Sequence, residues 1–467
     1  MTTQGRLART RPAPPVRMVH LGLGNFFRAH QAWYTHRANQ TLPPDRQWGI
    51  AAFTGRSSAV ADQLNEQEGL YTLVVDGADG SAAEVVESVV MARPGNDLDT
   101  WSRLLADPGV AVLTTTVTEA GYRAGSDGGL DLTDDAVAAD LEAWADGRTR
   151  DLTTMPVRVA WGLDGRRRAG TGGLTVVPCD NLPGNGSVAR GVVLGAARQT
   201  SPELAAWIER HVSFVSTAVD RITPRPTQDD VHRVQAITGT SDPAVVVTEP
   251  FVEWDLAGDF VAGRPPWEEA GAVFTDDVRP YETRKLWLLN GAHSLLAYAG
   301  STRGHETVSG AMQDDQVVLW MQEWWDTAIP HLVLPQEDLR AYTEALVTRF
   351  RNPEIRHLLT QIAADGSQKI PVRIVPALRA ALERADGRGV EGALRVLVAW
   401  VLHARGAGAP FSDSQAEQVG PLVEGELSAA LGRVLEAWDL PTSLVPRALE
   451  LSRELDLARG PHGVPGN

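Results

Sequence analysis

The feature that most constrains the fold is the order strand, glycine turn, helix and strand near the start of the chain. An apolar run at residues 16–21 leads directly into the segment 22–30, which begins Gly-Leu-Gly-Asn. Helical periodicity continues to about residue 40, and a second apolar run covers residues 48–53. This order is typical of the first unit of a dinucleotide-binding domain, in which the pyrophosphate lies at the helix N-terminus. We therefore predict an α/β fold with a Rossmann-like N-terminal domain.

The glycine fingerprint of such a domain is incomplete in this chain. Gly22 and Gly24 are present, but Phe27 stands where a third glycine is expected. An ordinary tight turn would explain the two glycines equally well. The second strand also ends without the carboxylate that binds the ribose hydroxyls of NAD, and Arg56 follows it instead. Because an arginine there could meet a 2′-phosphate, the sequence predicts NAD and leaves NADP possible.

Polar residues follow three later β-rich runs, at 110–117, 174–178 and 214–219. Those residues are Glu119, Asp180, Asn181, Asp220 and Arg221. In an open parallel sheet, ligands bind beyond the C-terminal ends of the strands, so a site is expected where these residues lie. Structural ion pairs or caps are the alternative for each of them.

The character of the chain changes near residue 276. Beta-rich runs vanish, and long amphipathic stretches such as 336–349 and 392–405 dominate, separated by Pro, Gly and Asp. This pattern predicts a mainly α-helical C-terminal domain. The predicted organisation is a flexible arm at 1–15, a Rossmann-like domain at 16–275, a helical substrate and catalytic domain at 276–460, and a flexible tail at 461–467.

One segment of the second half contains three side chains that could act together in catalysis. Residues 280–294 have the periodicity of an α-helix, on which Lys285 and His293 lie on one face two turns apart and Asn290 lies on its flank. A lysine, an amide and an imidazole in one pocket can remove a proton from an alcohol and polarise the resulting carbonyl. A solvated helix edge or a buried structural histidine is the alternative.

A second polar stretch, 365–373, lies between two predicted helices. Its cations, Lys369 and Arg373, could bind an anionic or polyhydroxy ligand. Helix capping and surface charge would explain both residues equally well.

Composition excludes several classes of protein. With 43 basic and 59 acidic residues the net charge is −16, which argues against nucleic acid or an anionic membrane as a partner. The single cysteine, Cys179, rules out an internal disulfide and a cysteine-rich zinc site, and we expect no metal. No run approaches the roughly 18 apolar residues of a membrane helix. We expect a cytoplasmic protein with a small-molecule substrate; its oligomeric state is open, and a monomer is plausible.

Taken together, several segments resemble the mannitol dehydrogenase family, the polyol-specific long-chain dehydrogenases and reductases. The matching segments occur in the family's order and span about residues 16–376. They are 22–31, 116–122, 179–181, 219–224, 249–254, 285–294 and 349–353.

The resemblance implies a metal-independent hydride transfer between nicotinamide and C2 of an open-chain sugar or sugar alcohol. It makes Lys285 the general acid/base, Asn181 and Asn290 the amides that hold the reacting oxygen, His293 an orienting residue, Glu119 a proton relay and Asp220 a residue that sets the geometry. The expected cofactor-binding residues are Gly22, Gly24, Asn25, Phe26, Arg28 and Arg56. The expected substrate-binding residues are Arg221, Lys369 and Arg373.

The resemblance leaves the substrate open. Interconversion of D-mannitol and D-fructose is the nominal assignment, and reduction of D-fructuronate to D-mannonate is a close second. Segments 290–298 and 356–371 look closer to fructuronate reductases, whereas Tyr281 favours the other branch.

Two readings of another kind remain beside these. Tyr281 and Lys285 also form the Tyr-x-x-x-Lys pattern of short-chain dehydrogenases, in which tyrosine is the acid/base. A non-catalytic nucleotide-sensing protein would keep the glycine turn without needing Lys285 and Asn290.

Overall fold

The computed structural model describes residues 6–55, 57–78, 80–384 and 389–457. The chain divides into two units, Met1–Arg279 and Pro280–Asn467. Arg56 and the predicted tail 461–467 lie outside the described residues, as do the first five residues of the predicted arm. Within that arm, Arg9 donates hydrogen bonds to the carbonyls of Glu87 and Val89.

The first unit mixes strands and helices. Its strands are β1 (Val16–Leu21), β2 (Gly49–Phe53), β3 (Tyr71–Gly77), β4 (Gly80–Val86), β5 (Val89–Arg93), β6 (Val112–Thr115), β7 (Leu174–Pro178), β8 (Val212–Phe214), β9 (Ser216–Asp220), β10 (Val246–Thr248), β11 (Glu253–Ala257) and β12 (Val273–Phe274). Its α-helices are α1 (Asn25–Ala29), α2 (Gln31–Asn39), α3 (Ala59–Asn65), α4 (Leu98–Leu105), α5 (Asp135–Ala145), α6 (Met155–Ala169), α7 (Asn185–Thr200), α8 (Pro202–His211) and α9 (Gln228–Thr238).

Six of these strands form one parallel sheet in the order β5-β2-β1-β6-β7-β8. This is the strand order of a Rossmann fold, and the chain order reverses between β1 and β6. A crevice for a ligand is therefore expected outside the carboxyl ends of these two strands. The predicted Rossmann-like fold is confirmed.

Both faces of the sheet are covered, which explains why its strands are mainly apolar. Neighbouring residues of one strand enter opposite cores: Val19 and Leu21 belong to one buried cluster, and Met18 belongs to the other. Two smaller sheets, β10-β3-β4 and β12-β11-β9, complete the unit.

The second unit is helical, as predicted. Its α-helices are α10 (Arg279–Arg284), α11 (Ala292–Leu295), α12 (Val308–Ala311), α13 (Asp315–Ala328), α14 (Gln336–Arg351), α15 (Leu359–Ala363), α16 (Gly366–Arg373), α17 (Val375–Leu382), α18 (Glu391–Ala404), α19 (Ala416–Val423), α20 (Leu427–Ala437) and α21 (Val445–Leu457). Two π-helical segments, Lys285–Gly291 and Leu296–Gly300, flank α11. Helix α18 is the central element, since every residue from 392 to 403 is buried.

Among the described residues, no helix has the length and apolar character needed to cross a membrane. The same part of the chain holds no group of three or more His, Cys, Asp or Glu residues that could bind a metal ion.

Candidate functional site

The glycine turn lies where β1 and β6 separate. Gly22 has φ +112°, and a Cβ at this position would lie 2.1 Å from the carbonyl oxygen of Thr116. The amides of Gly22 and Leu23 both donate to the carbonyl of Phe53 at 2.9 Å. Gly22 is therefore required by the backbone, because it brings the ends of three strands together.

Phe27, which replaces the third glycine of the fingerprint, stacks on the ring of His20 with 3.5 Å between centroids. His20 is fully buried, and its ring nitrogens lie 2.8 Å from Thr114 Oγ1 and 3.2 Å from Thr116 Oγ1. Burial lowers the pKa of His20 to about 3, so this ring is neutral at physiological pH. In a complete fingerprint the third glycine allows the helix to pack closely on the strand. Here the stacked rings of Phe27 and His20 occupy that position.

A cleft of about 560 Å³ opens beside the turn within the first unit. Its walls come from the turn and α1, from the residues after β2, from α3, from the segment 225–231, and from residues 243 and 245. The lining residues are Leu23, Gly24, Asn25, Arg28, Thr54, Gly55, Ser57, Ala59, Val60, Gln63, Arg225, Pro226, Thr227, Gln228, Val231, Pro243 and Val245. The volume is that of a small-molecule site.

Three predicted cofactor residues lie on α1. Asn25 donates its amide to the carbonyl of Pro224 at 3.4 Å, and Phe26 stacks on His30 at 4.9 Å. Arg28 is 4% exposed and donates to the side chain of Asn25 and to the backbone carbonyls of Gly24 and Ala244. Arg28 therefore joins the start of α1 to residue 244 by hydrogen bonds.

The loops after β6 and β7 meet through one hydrogen bond. Tyr122, on the 3₁₀ turn Glu119–Tyr122, donates to Asp180 at 2.5 Å. Burial raises the pKa of Asp180 to about 6, and the charge of Glu119 acts in the same direction. Glu119 and Asn181 themselves are exposed. The structure thus places these two predicted residues on joined loops.

Asp220 is the last residue of β9 and Arg221 follows it, and both are buried. The guanidinium of Arg221 donates to the backbone carbonyls of Glu249 and Ala29 and lies 4.8 Å from the centre of the Trp33 ring. Burial lowers the pKa of Arg221 to about 10. Its donors are directed at main-chain acceptors, so substrate binding by Arg221 stays a prediction.

The segment with Lys285 is a π-helix, and the predicted α-helical spacing is wrong there. In a π-helix the backbone bonds run from i to i+5 and each turn holds more residues than an α-helical turn, so Asn290 lies nearer to the face of Lys285 than α-helical spacing would put it, while Leu289 stays close to that face. Lys285 and Asn290 are both half-buried, whereas Leu289 is 3% exposed. The structure brings the lysine and the amide together more directly than α-helical spacing would.

Two tryptophans of α13 hold the π-helical segment. The indole of Trp324 donates to the carbonyl of Trp287 at 3.0 Å, and the indole of Trp325 donates to the carbonyl of Leu288 at 2.9 Å. Gly291 packs against the face of Trp324, where a Cβ would lie 2.6 Å from the ring. These contacts satisfy backbone acceptors inside a helix that departs from α geometry.

His293 lies one turn beyond Asn290 and is 8% exposed. Its ring centroid is 4.7 Å from that of Phe350 and 5.0 Å from that of His357. Burial, helped by the charge of Arg349, lowers the pKa of His357. The predicted orienting residue, His293, therefore packs against two aromatic rings.

The two predicted cations of α16 differ in their contacts. Lys369 donates to the carbonyls of Ile362 and Ala364 at 3.1 and 2.5 Å, which caps the end of α15. Arg373 donates to the carbonyl of Asn290 and to Ser294 Oγ, each at 3.3 Å. Of the two, Arg373 is the one that meets the π-helical segment.

The second unit has a cavity of about 410 Å³ between α13 and α14. It contains none of the predicted site residues. Its wall includes Trp325, one of the two tryptophans that hold the π-helical segment.

Sequence reasoning missed the residues that pack around the candidate reactive residues. Trp324 and Trp325 belong to no motif that sequence analysis could recognise. Only the structure shows that their indoles donate hydrogen bonds to the π-helical segment. Tyr122 could have been proposed from the sequence, because it is the last residue of the segment 116–122, which is one of the segments that resemble the family.

Comparison with known proteins covers both units. The mannitol dehydrogenase Rossmann domain matches residues 16–269, and the mannitol dehydrogenase C-terminal domain matches residues 277–421. The chain is 39% identical over 379 residues to D-mannonate oxidoreductase of Escherichia coli strain K12, covering 79% of this chain and 76% of that protein.

Two solved structures are similar over nearly the whole chain. D-sorbitol dehydrogenase in substrate-free form has a TM-score of 0.87 at 30% identity, covering 97% of each chain. Pseudomonas fluorescens mannitol 2-dehydrogenase, in a ternary complex with NAD and D-mannitol, has a TM-score of 0.72 at 33% identity, covering 97% of this chain and 93% of that one.

Proposed function

Because the chain belongs to the mannitol dehydrogenase family, we propose that it transfers a hydride between NAD and C2 of an open-chain polyol, ketose or sugar acid. The protein is an oxidoreductase that acts on CH–OH groups. NAD is the cofactor, and its nicotinamide accepts or releases the hydride. The cleft at the glycine turn fits it, since the described charged side chains that line this cleft are both cationic.

The observation that carries the proposal is the position of the lysines. The 467 residues contain only two lysines, Lys285 and Lys369, among 43 basic residues. The other basic residues are all arginine, and arginine cannot lose its proton in a protein. A lysine can lose its proton, and Lys285 lies on a π-helical turn that also carries the amide of Asn290, so it can exchange a proton with a substrate oxygen.

The proposed chemistry divides between three groups. In the oxidising direction the C2–H bond breaks as a hydride, and the proton of the C2 hydroxyl passes to the Nζ of Lys285. The amide of Asn290 donates to the same oxygen as negative charge develops on it. His293 orients the neighbouring hydroxyl groups. The roles of Asn181 as a second amide, of Glu119 as a relay and of Asp220 in setting the geometry follow from the family resemblance.

For the substrate, the nominal proposal is the interconversion of D-mannitol and D-fructose. Arg373 favours a second candidate, reduction of D-fructuronate to D-mannonate. Its half-buried guanidinium contacts the carbonyl of Asn290, so it lies close to the reacting end of the proposed site. A carboxylate on the substrate would supply a bidentate partner for this arginine.

The test is NADH oxidation by purified wild type, Lys285→Ala and Lys285→Arg with D-fructose and D-fructuronate. Loss of the acid/base should lower kcat by roughly 100- to 10,000-fold in both variants, while NADH affinity stays nearly unchanged. Lys369→Ala, which removes the other lysine, should change KM rather than abolish turnover. Wild-type kcat in Lys285→Ala at every pH would show that the lysine mechanism is wrong.

A further inference from the structure

The charges that line the nucleotide cleft are unevenly distributed. Among the described lining residues, none is acidic, and the charged ones are Arg28 and Arg225. Arg28 is buried and its guanidinium is bound to Gly24, Asn25 and Ala244. Arg225 is the remaining cation of the described lining.

Arg225 has no partner within the described parts of the chain. It is exposed, and it makes neither a hydrogen bond nor an ion pair with any residue there. The nearest helix does not use it, because the capping box of α9 joins Thr227 to Asp230, and Asp230 is paired with Arg233. An arginine that faces a cleft without an internal partner is available to an anionic ligand.

The segment that carries Arg225 is held at both ends. On one side, the amide of Ile222 donates to the carboxylate of Glu249 at 2.6 Å. On the other side, the capping box of Thr227 starts α9. Arg225 itself lies between Pro224 and Pro226, whose rings restrict the backbone. Its position is therefore defined before any ligand binds, which reduces the entropy lost on binding.

One contact places this segment relative to the glycine turn. The carbonyl of Pro224 accepts a hydrogen bond at 3.4 Å from the side chain of Asn25, the residue that follows Gly24. Arg225 thus follows directly on a residue that touches the start of α1. The pyrophosphate of a dinucleotide lies at this place in a Rossmann fold.

We propose that Arg225 binds the pyrophosphate of the dinucleotide from a segment that lies outside the glycine fingerprint. The inference rests on the proposed use of NAD. A guanidinium can donate two parallel hydrogen bonds to phosphate oxygens. Arg225 can bind a phosphate in this way, whereas Arg28 already donates to Gly24, Asn25 and Ala244. Arg225 is a binding residue and takes no part in proton or hydride transfer.

The experiment measures the dissociation constants of NADH, NADPH, ADP-ribose, 2′-AMP and adenosine for wild type, Arg225→Met and Arg225→Lys. The control is Arg190→Met, which removes an exposed arginine of α7 in the same unit that does not line the cleft. In Arg225→Met, NADH and ADP-ribose should bind roughly 10- to 100-fold more weakly, as expected for a lost charged hydrogen bond. Adenosine, which lacks phosphate, should bind within about twofold of wild type, and Arg225→Lys should recover part of the loss.

Four results would overturn the inference. Equal NADH affinity in wild type and Arg225→Met would remove Arg225 from the site. A loss confined to NADPH and 2′-AMP, with NADH and ADP-ribose unchanged, would assign the arginine to a 2′-phosphate instead. An equal loss for adenosine would indicate a general change of the cleft. Failure of the wild type to bind NADH at all would contradict the proposed function itself, and this inference with it.

Discussion

Tyr122 donates its hydroxyl to Oδ2 of Asp180 at 2.5 Å, and this bond joins the loop after β6 to the loop after β7. The other carboxylate oxygen, Oδ1, is buried without a hydrogen bond of good geometry among the described residues. Asn185 extends the connection, since its amide donates to the carbonyls of Asp180 and Thr217. The loops that carry Glu119 and Asn181 are therefore held by a carboxylate in an unfavourable environment.

Asp180→Asn should stabilise the protein at neutral pH. Burial raises the pKa of Asp180 from 3.8 to about 6 in the folded state, so the unfolded chain releases this proton more easily than the folded one. Ionisation consequently costs stability, fully above pH 6 and not at all below about pH 4. At about 1.4 kcal/mol per pKa unit, the cost is roughly 3 kcal/mol at most.

The measurement is the free energy of unfolding of wild type and Asp180→Asn between pH 4 and pH 8. The advantage of the variant should be largest at pH 8 and should shrink as the pH falls from 6 to 4. Tyr122→Phe removes the donor and should instead destabilise by about 1–3 kcal/mol at pH 8. A pH-independent difference for Asp180→Asn would contradict the assignment of the raised pKa to this residue.

Gly291→Ala should damage turnover through the π-helical segment. The added Cβ would lie 2.6 Å from the ring of Trp324, which would have to move and give up its bond to the carbonyl of Trp287. We expect about 1–3 kcal/mol of destabilisation and a larger fall in kcat than in NADH affinity. The matched control is Gly432→Ala in α20, where the nearest atom is 3.9 Å away and alanine should stabilise the helix. Unchanged kcat in Gly291→Ala would show that this packing does not position Lys285 or Asn290.

The two glycines of the turn should fail in different ways. Gly22→Ala combines a positive φ with a Cβ 2.1 Å from the carbonyl oxygen of Thr116, so the variant should unfold or lose several kcal/mol. Gly24→Ala has no neighbour closer than 3.6 Å and should fold normally, but its methyl group would enter the cleft. Thermal unfolding and NADH titration separate the two effects. Normal NADH affinity in Gly24→Ala would place the pyrophosphate elsewhere.

Arg373→Gln should distinguish the two candidate substrates. If the guanidinium binds a substrate carboxylate, kcat/KM for D-fructuronate should fall at least roughly tenfold more than kcat/KM for D-fructose. Arg351→Gln, at the exposed end of α14, is the control for a lost positive charge in the same unit. Equal losses on both substrates would indicate that Arg373 supports the Asn290 segment through its contacts with the carbonyl of Asn290 and with Ser294.

Local sequence patterns predicted the main elements well where short-range rules apply. The order strand, glycine turn, helix and strand correctly indicated the Rossmann fold, because Gly22 must adopt a backbone that other residues avoid. The loss of β-rich runs after residue 276 correctly predicted a helical second half. The amphipathic stretches 336–349 and 392–405 correspond to α14 and α18.

Patterns misjudged the places where tertiary contacts override local rules. Spacing of four residues predicted an α-helical turn after Lys285, but the segment is a π-helix whose carbonyls at Trp287 and Leu288 accept hydrogen bonds from the indoles of Trp324 and Trp325, and Asn290 lies nearer to the face of Lys285 than predicted. Exposure was also unpredictable: Arg28 is buried because distant backbone carbonyls accept its hydrogen bonds.

The sequence by itself determined the class of fold and the family and supplied the candidates for the reactive residues, because these depend on residue types at short spacings and on motifs in a set order. Tertiary structure alone decided how those residues are presented. It set the π-helical register of Lys285 and Asn290, the ionisation of Asp180 and the availability of Arg225. Each of these depends on which distant groups supply hydrogen bonds, exclude water or leave a charge without a partner, and chain neighbours do not encode those contacts.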